Sequence, residues 1–178
     1  KYMIFKHDIQ SYLTQRTENY IFVFFGGSDP SGLTKDFIEK VVKKLSNNLF
    51  LIKKGKFSIL PSSNYDLNNL IFSDQNTDIL SLISNSRLSI LSAGNVMYES
   101  IFLKKKPLII AHNKHQHSFS CAGKTQGYID YFGMYPDIDY ELLINKIKSS
   151  LSIVNQNSFI DNNGSKRIKN KIMKLLKK

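Results

Sequence analysis

Ile21-Phe22-Val23-Phe24-Phe25 is an unbroken run of β-branched and aromatic residues that stops at Gly26-Gly27. A strand with one wet face alternates apolar and polar residues, whereas a run without alternation is buried on both faces and needs a layer on each side of its sheet. The next segment supplies such a layer, because Phe37, Ile38, Val41, Val42 and Leu45 recur at helical spacing between Asp36 and Leu45. The alternation then repeats. Leu49–Ile52, Asn69–Phe72, Leu88–Leu91 and Pro107–Ala111 read as strands, the last being the final strand that the pattern indicates. Asp78–Ser84, the stretch carrying Val96, Met97, Ile101 and Phe102, and the stretch carrying Leu142, Leu143, Ile144, Ile147 and Leu151 read as helices. Strands alternating with helices predict an α/β fold, a Rossmann-like doubly wound parallel sheet, over residues 20–178. Residues 1–19 are polar, with Tyr2, Ile4, Phe5, Tyr12 and Leu13 scattered among them, and predict a linker or a strap across the domain surface.

At 178 residues, 42% of them hydrophobic, the chain can bury one core. No run reaches the roughly 20 apolar residues that cross a bilayer, and the opening residues lack a signal peptide's apolar stretch, which favours a cytoplasmic setting. Cys121 is the single cysteine, so an internal disulfide and a cysteine-type zinc site are both excluded. The net charge of +11 invites a polyanion partner. Yet the only arginines are Arg16, Arg87 and Arg167, and dispersed lysines make poor phosphate forks, so no nucleic-acid partner is expected. In the tail from Ser165 to Lys178, Ile168, Ile172, Leu175 and Leu176 alternate with lysines at helical spacing, predicting an amphipathic helix with a solvated basic face. A weak membrane-surface contact is its secondary reading.

In open parallel sheets ligands lie beyond the carboxyl ends of strands, so the loops that follow strands are the ones to read. Gly26-Gly27-Ser28-Asp29-Pro30-Ser31-Gly32 leaves the strongest strand and enters a helix. Adjacent glycines let backbone amides approach an anion, and the helix start adds its own amides, so phosphate binding is the functional reading and a tight turn the structural one. It is neither a Walker loop nor a dinucleotide fingerprint. Ser92-Ala93-Gly94-Asn95 is the second such loop, with Asn95 placed to cap a helix and Glu99 one turn on. Glu99 either receives the hydroxyls of a ribose or only complements the helix dipole. His112-Asn113-Lys114-His115-Gln116-His117 follows the Pro107–Ala111 strand as a polar loop. No carboxylate or cysteine is near enough in sequence to complete a metal shell, so no metal is expected, and the loop is better suited to sugar hydroxyls. No nucleophilic triad is evident.

Taken together, Phe25-Gly26-Gly27-Ser28-Asp29-Pro30, Ser92-Ala93-Gly94-Asn95-Val96-Met97-Tyr98-Glu99, Lys106-Pro107-Leu108-Ile109-Ile110 and Asn113-Lys114-His115-Gln116 resemble the C-terminal half of the glycosyltransferase B-type fold. The pattern is most similar to the UDP-sugar hydrolases of pseudaminic-acid biosynthesis, and more distantly to the peptidoglycan N-acetylglucosaminyltransferase. Gly26-Gly27-Ser28-Asp29-Pro30 and Ile160-Asp161-Asn162-Asn163-Gly164-Ser165-Lys166-Arg167-Ile168 resemble the hydrolase branch specifically, and Lys1-Tyr2-Met3-Ile4-Phe5 the segment that joins the two domains there. The resemblance implies a partner, UDP or a UDP-sugar, and no cofactor. It places Gly26, Gly27 and Ser28 along the nucleotide cleft, the amides of Gly94 and Asn95 on the diphosphate, Glu99 on the ribose, and His115 and Gln116 on the sugar. It also implies a missing N-terminal domain that carries the catalytic base, so that this chain alone binds UDP weakly and is inactive.

Overall fold

A computed structural model describes residues 2–14, 16–58, 65–151 and 160–176. Six parallel strands form one sheet in the order β3-β2-β1-β4-β5-β6. They are β1 (Tyr20–Phe24), β2 (Leu49–Ile52), β3 (Leu70–Phe72), β4 (Leu88–Ser92), β5 (Leu108–Ala111) and β6 (Asp130–Met134). The helices are α1 (Leu33–Lys40), α2 (Ile79–Asn85), α3 (Asn95–Phe102), α4 (Lys114–Thr125), α5 (Tyr140–Ser150) and α6 (Gly164–Leu175).

The unbroken apolar run explains the layering. Along β1, Ile21 and Val23 enter one core with Phe37, Ile38, Phe50, Leu143 and Ile147, while Tyr20 and Phe22 enter the opposite core with Leu80, Ile83, Met97 and Phe102. Period-two alternation of side chains sends successive residues to opposite faces, so a strand covered on both sides needs apolar residues throughout. Thus α1 and α5 cover one face and α2 and α3 the other, which is the doubly wound arrangement expected.

Three elements differ from the sequence reading. The helical stripe read from Asp36 to Leu45 is split, α1 ending at Lys40 and a short 3-10 helix following at Val42–Lys44. In the segment read as a polar loop from His112 to His117, the residues from Lys114 on instead form the start of the helix α4, and β6 lies beyond the strand read as the last. The helix α4 buries only Ser120 and leaves Phe119 exposed, so it has no apolar stripe for periodicity to detect. β6 is a half-buried edge strand containing Gly133 at φ 151°, and the register with β5 shifts between Ile109 and Ile110. Its composition, Asp-Tyr-Phe-Gly-Met, lacks β-branched residues.

The stretch 2–14 lies over the α2–α3 layer. Phe5 stacks on Phe102 at 5.0 Å, Ile9 is fully buried, and Lys6 reaches Asp78 at 2.8 Å. The Tyr12 hydroxyl also donates to Asp78, and Ser84 donates to the Tyr12 carbonyl. The helix α6 abuts the same stretch, since a Cβ on Gly164 would fall 1.6 Å from the Met3 carbonyl oxygen. As expected, α6 is amphipathic and basic. Its Ile172, Met173 and Leu175, with Leu176 just beyond, are all exposed, and Ile4, Ile168, Ile172 and Met173 line one apolar groove. Lys1, Lys177 and Lys178 of the sequence reading lie outside the described residues. Among the described residues no helix is long and apolar enough to cross a membrane.

Phe50 is fully buried and meets Phe37 edge-on at 6.0 Å. Phe50→Ala should cost about 3–5 kcal/mol, read as a lower urea midpoint with an unchanged slope.

Candidate functional site

Strand order fixes where a ligand can sit. From β1 the chain moves outward through β2 to β3, and from β4 it moves the other way through β5 to β6. The connecting helices therefore leave on opposite faces, and a crevice opens beyond the carboxyl ends of β1 and β4. Both loops singled out from the sequence are there, on adjacent strands. They touch: a Cβ on Gly26, whose φ of +100° favours glycine, would lie 3.6 Å from Ser92 Oγ.

The β1 loop binds itself tightly. Asp29 is buried at φ 42°, and its two carboxylate oxygens accept the amides of Leu33 at 3.0 Å and Thr34 at 2.8 Å. This corrects the expectation that α1 offers its N-terminal amides to a phosphate, because the protein's own carboxylate already takes them. Gly27 and Ser28 remain exposed on the rim and Gly26 half-buried. A neighbour that the sequence reading missed closes the loop from behind. Phe57 N donates to the Gly27 carbonyl at 2.9 Å, and a Cβ on Gly55 would fall 2.2 Å from that same oxygen. The signal was present in Lys53-Lys54-Gly55-Lys56, a glycine among lysines directly after β2.

Five described helices begin on this rim, following β1, β3, β4, β5 and β6. Four have their first amides satisfied by a side chain: Asp29 on α1, Asp78 on Leu80 N of α2, Asn113 on Gln116 N of α4, and Asp139 on Leu142 N of α5. The exception is α3. Its N-cap is Gly94, which makes no side-chain bond, and Asn95 is the first helical residue instead of the cap expected. Neither Asn95 N nor Val96 N has a partner among the described residues. Uncapped amides at the positive end of a helix form a ready anion site.

Glu99 lies one turn further along α3, half-buried. Among the described residues no donor reaches its carboxylate. Burial raises its pKa, and the nearby negative charge of Asp78 raises it further. Asp78 is in turn held by Lys6 and Tyr12, while Lys53 Nζ donates to the carbonyls of Asp74, Gln75 and Thr77 at 2.9–3.1 Å.

At the β5 end the two residues expected on the sugar differ in character. His115 is exposed and meets Phe119 edge-on at 4.7 Å. Gln116 is half-buried, and its Oε1 accepts the His112 amide at 2.8 Å, leaving the side-chain NH2 as its remaining donor group. Together with the Asn113 cap this nearly completes a capping box, the one local signal of α4 in the sequence. The His112 ring, which the sequence reading left without a role, joins the Phe25 carbonyl at 3.0 Å and Ser31 Oγ at 2.7 Å. Among the described residues no three histidine, cysteine or acidic side chains gather as metal ligands.

No family model and no curated protein matches the sequence. Solved structures do match in fold, and they define the class: an α/β domain corresponding to one half of an epimerase fold of the glycosyltransferase B type. One is the UDP-GlcNAc 2-epimerase of Methanocaldococcus jannaschii in complex with UDP-GlcNAc and UDP, at a TM-score of 0.60 and 13% identity, covering 94% of this chain and 49% of that one. A second structure of that epimerase matches at a TM-score of 0.55 and 14% identity, covering 94% of this chain and 50% of that one. The likeness at these identities is one of fold, and the chain spans about half the length of the structures it matches.

A carboxylate whose pKa is raised on folding is more readily ionised in the unfolded chain, so stability is lost as pH climbs from the ordinary carboxylate value through the raised one. Glu99→Gln should therefore raise the melting temperature at pH 7 by a few degrees, with the gain shrinking in acid below both values. Melting curves across pH check this.

Proposed function

We propose that this chain is the nucleotide-gripping half of a cytoplasmic enzyme that acts on a UDP-sugar. The observation that carries the reading is the pairing on α3 of uncapped amides at Asn95 and Val96 with a half-buried, unpartnered carboxylate at Glu99 one turn away. A diphosphate needs amide donors, a ribose needs an acceptor for its hydroxyls, and a nucleoside diphosphate presents the two side by side. The epimerase that shares the fold was captured with UDP-GlcNAc and UDP, which supports the same ligand class here. In this reading Gly94 and Asn95 receive the diphosphate and Glu99 the ribose. Gly26, Gly27 and Ser28 border the cleft, and His115 with the Gln116 amide group meets the sugar.

The reaction proposed is hydrolysis, in which water attacks the activated sugar and UDP leaves, within pseudaminic-acid-like surface-glycan synthesis. The resemblance of the Gly26-Gly27-Ser28-Asp29-Pro30 and Ile160–Ile168 segments supports hydrolysis over transfer. The base that activates water belongs to a second domain facing this crevice, with residues 1–19 as its linker. Support for that domain comes from the exposed apolar side chains of Ile4, Ile172 and Met173, which line one groove where stretch 2–14 meets α6. This chain alone is expected to bind UDP weakly and turn over nothing.

Calorimetric titration with UDP, CMP, GDP and ADP tests the reading. UDP should bind in preference to the others, and Glu99→Ala should weaken it about tenfold, or about 1.4 kcal/mol. Unchanged affinity in Glu99→Ala would remove the ribose role. A polyanion-binding module would instead lose affinity by orders of magnitude between about 50 and 200 mM salt.

A further inference from the structure

His112 is the first residue beyond β5, and its side chain is only 8% exposed. It bonds in two directions. A carbonyl can only accept, so the contact with the Phe25 oxygen at 3.0 Å puts the ring proton on Nε2. The neutral Nδ1 then accepts the Ser31 hydroxyl at 2.7 Å. On the other side, the His112 backbone amide donates to Gln116 Oε1 at 2.8 Å. The ring also meets Phe25 edge-on at 6.3 Å. Burial holds its pKa down, with Asp29, 4.0 Å from Nδ1, the charged group beside it.

The strands concerned are not neighbours. β4 stands between β1 and β5, so the bonds from His112 to Phe25 and Ser31 carry the glycine loop over the end of β4, where the Ser92–Gly94 turn opens α3. One residue therefore ties the loop that borders the crevice to the first turn of α4. Neither tie is needed to complete the sheet or its cores.

We propose that His112 is a positioning residue that couples the glycine loop to Gln116, so that the placement of the loop bordering the nucleotide and the recognition of the attached sugar depend on each other. This rests on the reading of the crevice as a UDP-sugar site. A ligand filling both sides gains from their mutual bracing, and UDP, filling one side, gains less.

The test has two arms on the 178-residue chain. In the first, UDP-GlcNAc and UDP are titrated against wild type, His112→Ala and His112→Gln. The alanine variant should lose about tenfold more affinity for UDP-GlcNAc than for UDP, a size typical of coupling within one hydrogen-bond network. His112→Gln, which keeps a donor for the Phe25 carbonyl, should restore part of the difference. Equal losses for both ligands, or no loss, would overturn the coupling. In the second arm, hydrogen exchange is followed without ligand. His112→Ala should speed exchange in residues 26–31 and 113–117 together while β1 and β4 stay protected. Loosening of only one segment, or of neither, would overturn the proposal even if wild type bound no UDP-sugar, an outcome that would count against the functional reading separately. General loss of protection in both variants would show a merely structural role and also overturn it.

Discussion

The parallel pairing of β1 with β4 is the constraint from which the remaining features follow. Tyr20 to Phe24 is buried almost throughout, and it can be so only with helices on both faces. Parallel neighbours need crossover connections, and two sets of crossovers leaving in opposite directions must part somewhere. They part between β1 and β4, so the core that stabilises the domain also creates its crevice. Gly26 and Ser92 face each other there because their strands are in register, Phe24 opposite Leu91.

The treatment of helix ends distinguishes this crevice from the rest of the rim. A helix start leaves amides that need acceptors, and Asp29, Asp78, Asn113 and Asp139 satisfy them at four helices. At α3 a glycine occupies the cap, so the donors face the crevice without an internal acceptor. Glu99 carries the opposite imbalance, an acceptor without a donor in a place where burial disfavours its charge. Burying the Glu99 carboxylate without a donor costs stability in the unliganded chain, the exposed α3 amides are left to water, and a ligand with an anion next to hydroxyls engages both. This is the usual compromise between stability and a preorganised site.

Much of this was legible in the sequence. The continuous apolar runs marked β1 and β5, and the two glycine-bearing turns after strands pointed to the right rim. What escaped was structure made by polar contacts. The helix α4 has no apolar stripe, and its announcement was the Asn113 and Gln116 pair. β6 is an edge strand whose residues carry a weak strand preference. Asp29 could be read as part of a phosphate loop because capping by a residue four positions upstream requires a left-handed turn, which its residue type permits without demanding. His112 was noticed only as one of three histidines, since its bonds to Phe25 and Ser31 span 87 and 81 residues of chain.

The central claim is that α3, with its bare amides and Glu99, receives the nucleotide while α1 does not. Amide-resolved NMR during a UDP titration tests it directly. The largest shift changes are expected at Asn95 and Val96, with Leu33 and Thr34 little altered beneath Asp29. Dominant changes at Leu33 and Thr34, or along α6, would contradict it.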